Sequence, residues 1–564
     1  MGITSIIPFI TLLSNPDYIY KYEILIFLYD HFQFESDRIF LSFLGFSVAI
    51  FIIFCSVIKI FSAYLMIKFS LMREHSISLR LLKAYIDRPF SWHLSQQRAE
   101  LSKTILTDAN AITHNAVLPF LVFFTQSIMA CCILAILFWV NLEVAIFIIS
   151  TLVVSYGVVY FLSKKKLLSI GQTREVSNQA RFKSISNILN GIMEIKIHEK
   201  DRFYLKYYEE PSQTYSANQA SGQIIASLPR YILEAISIVG LLVTMSVLIL
   251  KNQDSNSVLA TMVLYSVAGY RLLPALQMMY QSVSVMRIIS PTLANLATNF
   301  TLAENQGAVT SQNLINAKKL HSIELRQICF KHVDAKKNQL EKINLKINHG
   351  SFVSIIGESG SGKSTLVALL TGLIKPTSGQ FLVNDQQIEH INFNLLSNKL
   401  GFVSQKYYIL NDTIMSNIAF GLSQKEADLE RLKNVLKAVC LDQLVFEQLS
   451  NGLLTVIGDG GPQLSGGQLQ RIGIARALYS DPKILILDEA TSALDAETEM
   501  KILKNIRKEF DNITIIMITH KIMLTEDSNN IFVLKDGKLV GDGTYEVLSK
   551  TNSYFNSLSS GKSS

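Results

Sequence analysis

The stretch Gly357-Glu-Ser-Gly-Ser-Gly362-Lys363-Ser364 follows an apolar, β-rich run and precedes a segment with helical periodicity. Glycines at this spacing let backbone N–H groups surround a phosphate, and the following helix N-terminus adds positive potential. In such a loop the lysine contacts the β- and γ-phosphates, and the serine hydroxyl binds Mg²⁺. The predicted phosphate contacts are Gly357, Glu358, Ser359, Gly360, Ser361, Gly362, Lys363, Ser364 and Thr365.

Short β-rich runs alternate with amphipathic helical segments from about residue 320 to the end of the sequence. The pattern predicts strands over 352–356, 400–403, 484–487 and 513–518, and helices over 365–373 and 468–478. This alternation is typical of an α/β domain with a mainly parallel sheet. We therefore expect one α/β domain over residues 320–564.

Two carboxylates, Asp488 and Glu489, end the apolar run 484–487. A carboxylate at the end of a strand can bind Mg²⁺, and a second one can orient or deprotonate an attacking water. We assign Asp488 to the metal and Glu489 to the water. This pair of carboxylates indicates phosphate chemistry far more specifically when the loop at Lys363 is also present than when it occurs alone.

The part before residue 304 has a different composition. Hydrophobic residues make up 49% of the whole chain and charged residues only 17%, against roughly 25% in typical globular proteins. Mean hydropathy is +0.29, so the chain is neither disordered nor a nucleic-acid-coating protein. Runs long enough to cross a bilayer cover residues 39–71, 116–140, 142–162, 232–250 and 258–279.

A sixth apolar segment, residues 1–13, is short. At about 1.5 Å per residue it would extend roughly 20 Å, less than the hydrocarbon core of a bilayer. We expect it to be the second half of a spanning helix whose first half is absent from this sequence. The expected organisation is a six-helix transmembrane domain over 1–303, a polar linker over 304–319, and the α/β domain.

Charge predicts the orientation of these helices. Residues 15–38 are acidic, whereas residues 73–103 and 164–206 are rich in lysine and arginine. The positive-inside rule places the two basic connections in the cytoplasm. We expect them to turn near residues 108–111 and 191–198. The five cysteines form no CxxC pair, so a disulfide framework or a zinc site is not expected.

A second motif, Leu464-Ser465-Gly466-Gly467-Gln468, also precedes a predicted helix, and Ser465, Gly466, Gly467 and Gln468 are candidate anion contacts. With this motif the chain resembles the ATP-binding cassette (ABC) transporter family, whose signature sequence it matches. The resemblance implies that Gln405 belongs to the Q-loop, Asp495 to the D-loop and His520 to the switch. In the family, the counterpart of His520 contacts the γ-phosphate, and that of Gln405 links Mg²⁺ to the membrane domain.

The resemblance covers nearly the whole chain and implies its general architecture. A type IV exporter-like α-helical transmembrane bundle would be followed by an α/β P-loop ATP-binding cassette. ATP and Mg²⁺ would be the cofactors, and a homodimer is implied because Ser465 must face the phosphate loop of another copy. The expected location is the bacterial cytoplasmic (inner) membrane, with the ATP-binding domain in the cytoplasm.

Two local features refine this picture. The family usually stacks adenine on a tyrosine, but this chain has Phe330-Lys331-His332 at that place. His332 offers a smaller ring, so we expect weaker adenine binding. Residues 455–460 precede the signature where exporters place a loop that touches the membrane domain, which favours export over import.

Three cations, Lys59, Arg230 and Arg271, fall at or within predicted spans. A cation at membrane depth costs about 2.5–3.5 kcal/mol on insertion scales and usually faces a cavity or a partner. One interpretation is an anion-binding cavity; another is a structural ion pair between Arg230 and Glu234. The sequence around Pro8, Arg230 and Arg271, and the outer stretch 18–34, resemble bacterial lipid-linked oligosaccharide flippases.

The leading hypothesis is a homodimeric flippase of a lipid-pyrophosphate-linked oligosaccharide, with membrane lipid but no nucleic acid as a partner. The alternative within transport is a lipid or multidrug exporter in which the cations are structural. An ATP-gated channel or regulator would use the same architecture. The carboxylate Glu489 and the intact signature favour ATP turnover over gating alone.

Overall fold

The computed structural model describes residues 16–34, 36–140, 142–250, 255–304, 321–331, 337–387, 399–458, 462, 464–490 and 494–559. The predicted segment 1–13, most of the predicted linker 304–319, and His332 lie outside these residues. The chain forms two compact units, Met1–Arg88 with Ser95–Ala308, and Pro89–Leu94 with Val309–Ser564.

The first unit is helical throughout its described residues. A 3₁₀ turn, Pro16–Lys21, and a short helix precede the long helices. The helices are α1 (Glu23–His31), α2 (Asp37–Ile86), α3 (Leu118–Val140), α4 (Leu142–Asn190), α5 (Asp201–Leu250) and α6 (Ser255–Glu304). A 50-residue helix is about 75 Å long, which is more than twice the roughly 30 Å hydrocarbon core of a bilayer.

Short helical segments lead from α2 into α3. They are Phe90–Ser95, Arg98–Ser102, the π-helical Lys103–Asp108, Ala109–Ile112 and the π-helical Thr113–Val117. The expected turn at residues 108–111 is therefore wrong, because the chain is helical there. The break lies instead near Pro89, since a proline forces the preceding residue away from helical backbone angles.

The connection between α4 and α5 lies at the expected residues 191–198, but most of it is a short helix and not a turn. Gly191 has φ −106° and ψ 22°, and the short helix Ile192–Ile197 follows it before α5 begins. Helices α4 and α6 approach closely at another point: a Cβ atom at Gly171 would lie 2.2 Å from the carbonyl oxygen of Ile288. Only glycine fits this crossing.

Among the described residues, two helical stretches, Asp37–Ile86 and Arg98–Ala135, are long and apolar enough to cross a membrane. Large apolar side chains of α2 are exposed, with Phe46 at 73% and Ile60 at 70%. Apolar side chains exposed along a helix of this length are suited to contact with lipid. The other predicted spans lie within α4, α5 and α6.

The second unit is α/β. Its strands are β1 (Ser322–Phe330), β2 (Leu340–Asn348), β3 (Phe352–Ile356), β4 (Ser378–Val383), β5 (Gln386–Gln387), β6 (Leu400–Val403), β7 (Asp412–Thr413), β8 (Val456–Ile457), β9 (Ile484–Asp488), β10 (Thr514–Ile518), β11 (Asn530–Lys535) and β12 (Lys538–Gly543). Its helices are α7 (Lys363–Leu370), α8 (Ile414–Ile418), α9 (Leu429–Ala438), α10 (Gly466–Tyr479), α11 (Ala496–Glu509), α12 (Tyr545–Thr551) and α13 (Ser553–Ser559). Single helical turns cover Leu444–Gln448, Gly452–Leu454 and Ile522–Thr525.

The main sheet has the strand order β12-β11-β3-β10-β9-β6. Strands β11, β3, β10, β9 and β6 run parallel, and only the edge strand β12 is antiparallel. All five residues of β3 are buried, as expected for a parallel strand covered on both faces. A second, antiparallel sheet has the order β2-β1-β4-β5. The predicted mainly parallel sheet is confirmed, and the carboxyl ends of its parallel strands share one edge.

Candidate functional site

The loop after β3 requires glycine for steric reasons. A Cβ atom at Gly357 would lie 2.2 Å from the carbonyl oxygen of Leu534. Gly362, which caps α7, has φ +103°, a backbone conformation that favours glycine. The side-chain hydroxyl of Ser361 is buried and has no hydrogen-bond partner among the described residues. The loop therefore has a tight backbone and a free polar group, which fits a phosphate.

Lys363 begins α7 and is 7% exposed. Its ammonium donates hydrogen bonds to the carbonyl oxygens of Gly357 and Glu358, both at 2.8 Å. Burial lowers the pKa of Lys363, and the charges of Glu489 and Asp488 oppose that shift. No ion pair within the described part of the chain includes this lysine. A buried ammonium that contacts only carbonyls is suited to meeting an anionic ligand.

Glu489 directly follows β9, and its carboxylate contacts side chains that follow the two neighbouring strands, β6 and β10. Its Oε2 accepts a hydrogen bond from Nε2 of Gln405 at 2.6 Å, and its Oε1 lies 2.6 Å from Nε2 of His520. The backbone of Glu489 has φ +48°, and its N–H donates to the carbonyl oxygen of Ile518 at 3.0 Å. Three residues predicted from the sequence, Gln405, Glu489 and His520, thus meet at one carboxylate.

Asp488 is the last residue of β9. Burial raises the pKa of its carboxyl group, and the neighbouring charge of Glu489 adds to the shift. Ser364 is exposed at the start of α7. Within the described residues, no three His, Cys, Asp or Glu side chains form a group that could hold a metal ion. Mg²⁺ often takes one or two protein oxygens plus phosphates, so one hydroxyl and one carboxylate fit it.

The signature motif forms a separate helix N-terminus. Ser465 caps α10: its hydroxyl accepts from the N–H of Gln468 at 3.2 Å, and the Gln468 side chain accepts from the Ser465 N–H at 2.8 Å. Asp495 similarly caps α11 by accepting from the N–H of Thr498 at 2.9 Å. In the described part of the chain, no hydrogen bond joins Ser465 to the phosphate loop.

Arg476 is a structural link that the sequence did not reveal. From α10, its guanidinium donates to the carbonyl oxygens of Asn417 and Tyr408, at 2.6 and 2.7 Å. It therefore ties the signature helix to the segment that follows Gln405. Burial lowers the pKa of Arg476, but an arginine remains charged in proteins. An arginine on one helix face gives no sequence signal of such distant partners.

The first unit contains a cavity of about 1090 Å³ lined by all three predicted cations, Lys59, Arg230 and Arg271. Glu234 also lines it, but no ion pair of the described residues joins Glu234 to Arg230. Gln126 lines it too, and its side-chain carbonyl oxygen is buried without a partner among the described residues. Gln277 and Gln281 also line the cavity, and no motif in the sequence points to these three glutamines.

A smaller apolar cavity of about 390 Å³ shares one wall residue, Tyr156, with the cationic cavity. Its other lining residues are Phe123, Leu134, Gly157, Tyr160, Leu272, Leu276, Met279, Tyr280 and Val283. An anion-attracting space and an apolar space therefore lie side by side in one helical unit. This pairing fits an amphipathic ligand.

Comparisons with known proteins agree with both units. The family model described as ABC transporter transmembrane region matches residues 23–271, and the ABC transporter family model matches residues 340–492. A solved structure of a bacterial Atm1-family ABC exporter with ATP bound has a TM-score of 0.79 and 22% identity. The match covers 100% of this chain and 98% of the exporter chain.

Curated relatives are named ATP-dependent lipid A-core flippase. The one from Cupriavidus pinatubonensis is 25% identical over 483 residues, which are 85% of this chain and 81% of the relative. The one from Alkalilimnicola ehrlichii is 31% identical over 406 residues, 70% of this chain and 65% of the relative. The chain is therefore a member of the ABC transporter family, an ATP-hydrolysing translocase of the exporter type in which one transmembrane region is fused to one ATP-binding domain.

Proposed function

We propose that this exporter uses ATP to flip a phosphorylated glycolipid across the membrane, most specifically a lipid-pyrophosphate-linked oligosaccharide. The observation that carries the proposal is the cavity of about 1090 Å³ lined together by Lys59, Arg230 and Arg271. Three cations around one cavity suit the pyrophosphate of such a lipid, because charge-assisted hydrogen bonds to phosphate are among the stronger polar contacts.

The neighbouring apolar cavity supports a lipid as the rest of the substrate. It lies against the same Tyr156 and can take part of a hydrocarbon chain while the phosphate stays with the cations. The relatives named ATP-dependent lipid A-core flippase support the same broad class of cargo. Together, the two cavities would bind a lipid that carries a phosphate.

In the proposed ATPase cycle, Lys363 and the backbone of the phosphate loop bind the β- and γ-phosphates. Glu489 accepts the proton of the attacking water, and Gln405 and His520 orient its carboxylate, consistent with their 2.6 Å contacts to it. His520 would contact the γ-phosphate, as the resemblance to the ABC transporter family implies. Ser364, Asp488 and Gln405 would hold Mg²⁺, which neutralises charge on the phosphates when bound.

A homodimer completes the proposed site. Ser465, Gly466, Gly467 and Gln468 form a capped helix N-terminus on α10, a position that favours an anion. In one chain Ser465 makes no hydrogen bond to the phosphate loop within the described residues. We infer that it meets the nucleotide held by a second copy, with Asp495 nearby. The proposed location is the bacterial cytoplasmic membrane.

The test is a flipping assay with purified protein in liposomes that contain a polyprenyl-pyrophosphate oligosaccharide. Arg271→Ala should reduce lipid engagement about ten- to a hundredfold, the equivalent of a lost charge-assisted contact of roughly 1.5–3 kcal/mol. Basal ATPase should persist, because the hydrolytic residues belong to the other unit. Arg271→Lys should rescue partly, since a point charge replaces a planar fork.

Arg202→Ala is the matched control, because Arg202 is an exposed cation of α5 that does not line the cavity. Normal flipping by a well-assembled Arg271→Ala protein contradicts the proposal. That outcome favours the second candidate, a lipid or multidrug exporter, which the apolar cavity alone would support. ATP-dependent ion flux without lipid movement would instead identify a gated channel.

A further inference from the structure

A second polar cavity, of about 400 Å³, adjoins the cationic cavity. It is lined by amide side chains from three helical segments, and Gln281 lines both cavities. The amide-bearing residues are Asn115, Asn218, Gln219, Gln223 and Gln281. Among the described residues that line it there is no carboxylate, and Arg174 is the one charged side chain. We call this space the amide cavity.

The order of residues along two helices places the amide cavity relative to the cationic one. On α5, Gln219 lies 11 residues before Arg230, and on α6, Gln281 lies 10 residues after Arg271. At about 1.5 Å per residue, each offset is roughly 15 Å along its helix. On α5 the offset points to the end next to the basic connection 164–206, which the positive-inside rule places in the cytoplasm. Successive spanning helices cross the membrane in opposite directions, so the offset on α6 points to the same side. The amide cavity is thus a cytoplasmic extension of the cationic one.

The hydrogen bonds of these amides leave specific atoms available. The side-chain NH₂ groups of Asn115 and Asn218 donate to the carbonyl oxygens of Ala111 and Thr214, each at 2.8 Å. Their side-chain oxygens are therefore held as acceptors. Within the described residues, the side-chain amides of Gln219, Gln223 and Gln281 form no hydrogen bond. Each of these glutamines offers both a donor and an acceptor.

This chemistry matches a neutral ligand rich in hydroxyl groups. A hydroxyl donates one hydrogen bond and accepts others, so a surface of amides can satisfy many hydroxyls at once. A second phosphate would favour more cations than Arg174, whose guanidinium already lies 5.7 Å from the Tyr215 ring centroid. An apolar ligand would leave the amides without partners, which is costly.

We propose that the amide cavity binds the saccharide part of the same lipid whose phosphate occupies the cationic cavity. The inference rests on the proposed function and deepens it, because it assigns a separate part of the substrate to residues outside the cation cluster. The sugar nearest the phosphate would lie beside Gln281, and further sugars would extend toward Gln219 and Gln223.

The experiment measures binding to the full-length protein in nanodiscs without nucleotide. The probes are polyprenyl pyrophosphate and the same lipid carrying a neutral oligosaccharide. We expect the glycosylated lipid to bind about tenfold tighter, as two or three neutral hydrogen bonds would give. The double variant Gln219→Ala, Gln223→Ala should lose that advantage and bind the sugar-free lipid normally. A matched control is Gln213→Ala, an exposed amide of α5 outside the cavity.

The outcomes separate the two proposals. Arg271→Ala should weaken both probes equally, because both carry the pyrophosphate. Equal binding of both probes by wild type, or a double variant that still prefers the glycosylated lipid, overturns the saccharide inference alone. Failure of both probes to bind overturns the phosphorylated-glycolipid proposal and the inference with it. The same binding measurement with lipid A, with and without its core saccharide, shows whether the polyprenyl lipid or lipid A gives the sugar-dependent increase in affinity.

Discussion

His520 Nε2 lies 2.6 Å from Oε1 of Glu489, and this contact joins the ends of two neighbouring parallel strands. Strands β9 and β10 pair so that Asp488 lies opposite Ile518, which brings the residues just beyond them together. Gln405, beyond β6, binds the other oxygen of the same carboxylate at 2.6 Å. Both carboxylate oxygens are therefore oriented by side chains before any water attacks.

Glu489→Gln should lower ATP turnover by at least about 10²-fold, the usual contribution of a positioned general base. The amide keeps the shape of the side chain but cannot accept the proton. ATP binding should persist, and a nucleotide-bound closed dimer should accumulate. Phosphate release and ATP binding are measured on the same preparation.

The control for that experiment is Glu497→Gln. Glu497 is exposed in the first turn of α11 and should leave turnover unchanged. Near-normal hydrolysis by Glu489→Gln would show that another group takes the proton and that the contacts with Gln405 and His520 are structural.

Asp488→Asn should raise the thermal stability of the nucleotide-free protein at neutral pH. Burial raises the pKa of Asp488 above its ordinary 3.8, so the folded state binds the proton more tightly than the unfolded state does. The contribution of Asp488 to stability therefore falls as the pH rises from the pKa of the unfolded state to that of the folded state. At higher pH the full cost of burying the charge remains. Asparagine carries no such cost. The difference in melting temperature between Asp488→Asn and the wild type should narrow as the pH falls toward 3.8.

The comparison for the pH experiment is Asp495→Asn. Hydrogen bonds from Thr498 lower the pKa of Asp495, so its charged form is favoured in the fold. This substitution should not raise the melting temperature at neutral pH. If Asp488→Asn also gives no rise, the cost of burying that carboxylate is offset by Lys363.

The α/β unit could be predicted closely from the sequence. The strands predicted over 352–356 and 400–403 match β3 and β6, and those over 484–487 and 513–518 match β9 and β10 within one residue. Strands β3 and β10 are fully buried, and parallel strands covered on both faces give mostly apolar runs, which are strong signals. Their order in the sheet places Gln405, Glu489 and His520 together, although the distances needed the structure.

The helical half was harder to predict at its connections. A turn is expected at residues 108–111, yet Asp108 lies in a helix and pairs with Lys103 at 3.3 Å. A spacing of five residues brings the two side chains together across a wide π-helical turn. The stretch contains neither glycine nor proline, and polarity alone does not end a helix. The amide cavity was also missed, because its residues come from distant parts of the chain.

Lys103→Met should destabilise the protein by about 3–5 kcal/mol, the usual cost of breaking one partner of a buried ion pair. Lys103 is 3% exposed, and its ammonium lies 2.6 Å from Glu175 and 3.3 Å from Asp108. Glu175 also accepts from the hydroxyl of Thr292 on α6 at 2.6 Å. Removing the lysine leaves the carboxylates of Asp108 and Glu175, whose side chains are 9% and 14% exposed, without an ion-pair partner among the described residues. Thermal unfolding in detergent measures the loss.

A neutralised triple variant, Lys103→Met with Asp108→Asn and Glu175→Gln, should recover most of that stability, because no unpaired charge is left. The matched control is Lys196→Met. Lys196 pairs with Asp201 on the surface, where the two side chains are 66% and 44% exposed, so the loss should be within about 1 kcal/mol. A similar loss for both single variants would contradict the buried-network explanation.

Arg230→Ala should leave assembly of the protein intact and weaken binding of polyprenyl pyrophosphate about ten- to a hundredfold. Arg230 and Glu234 both line the cationic cavity, and no ion pair of the described residues joins them. The arginine is thus available to a ligand phosphate. Glu234→Ala should fold normally and bind the lipid a few-fold tighter, because one negative charge leaves the cavity.

The ion-pair interpretation gives the opposite pattern: Arg230→Ala would reduce the amount of folded protein in the membrane, and adding Glu234→Ala would restore it. Membrane expression and lipid binding of the three variants decide between the two, and rescue of folding by the double variant would remove Arg230 from the proposed phosphate contacts.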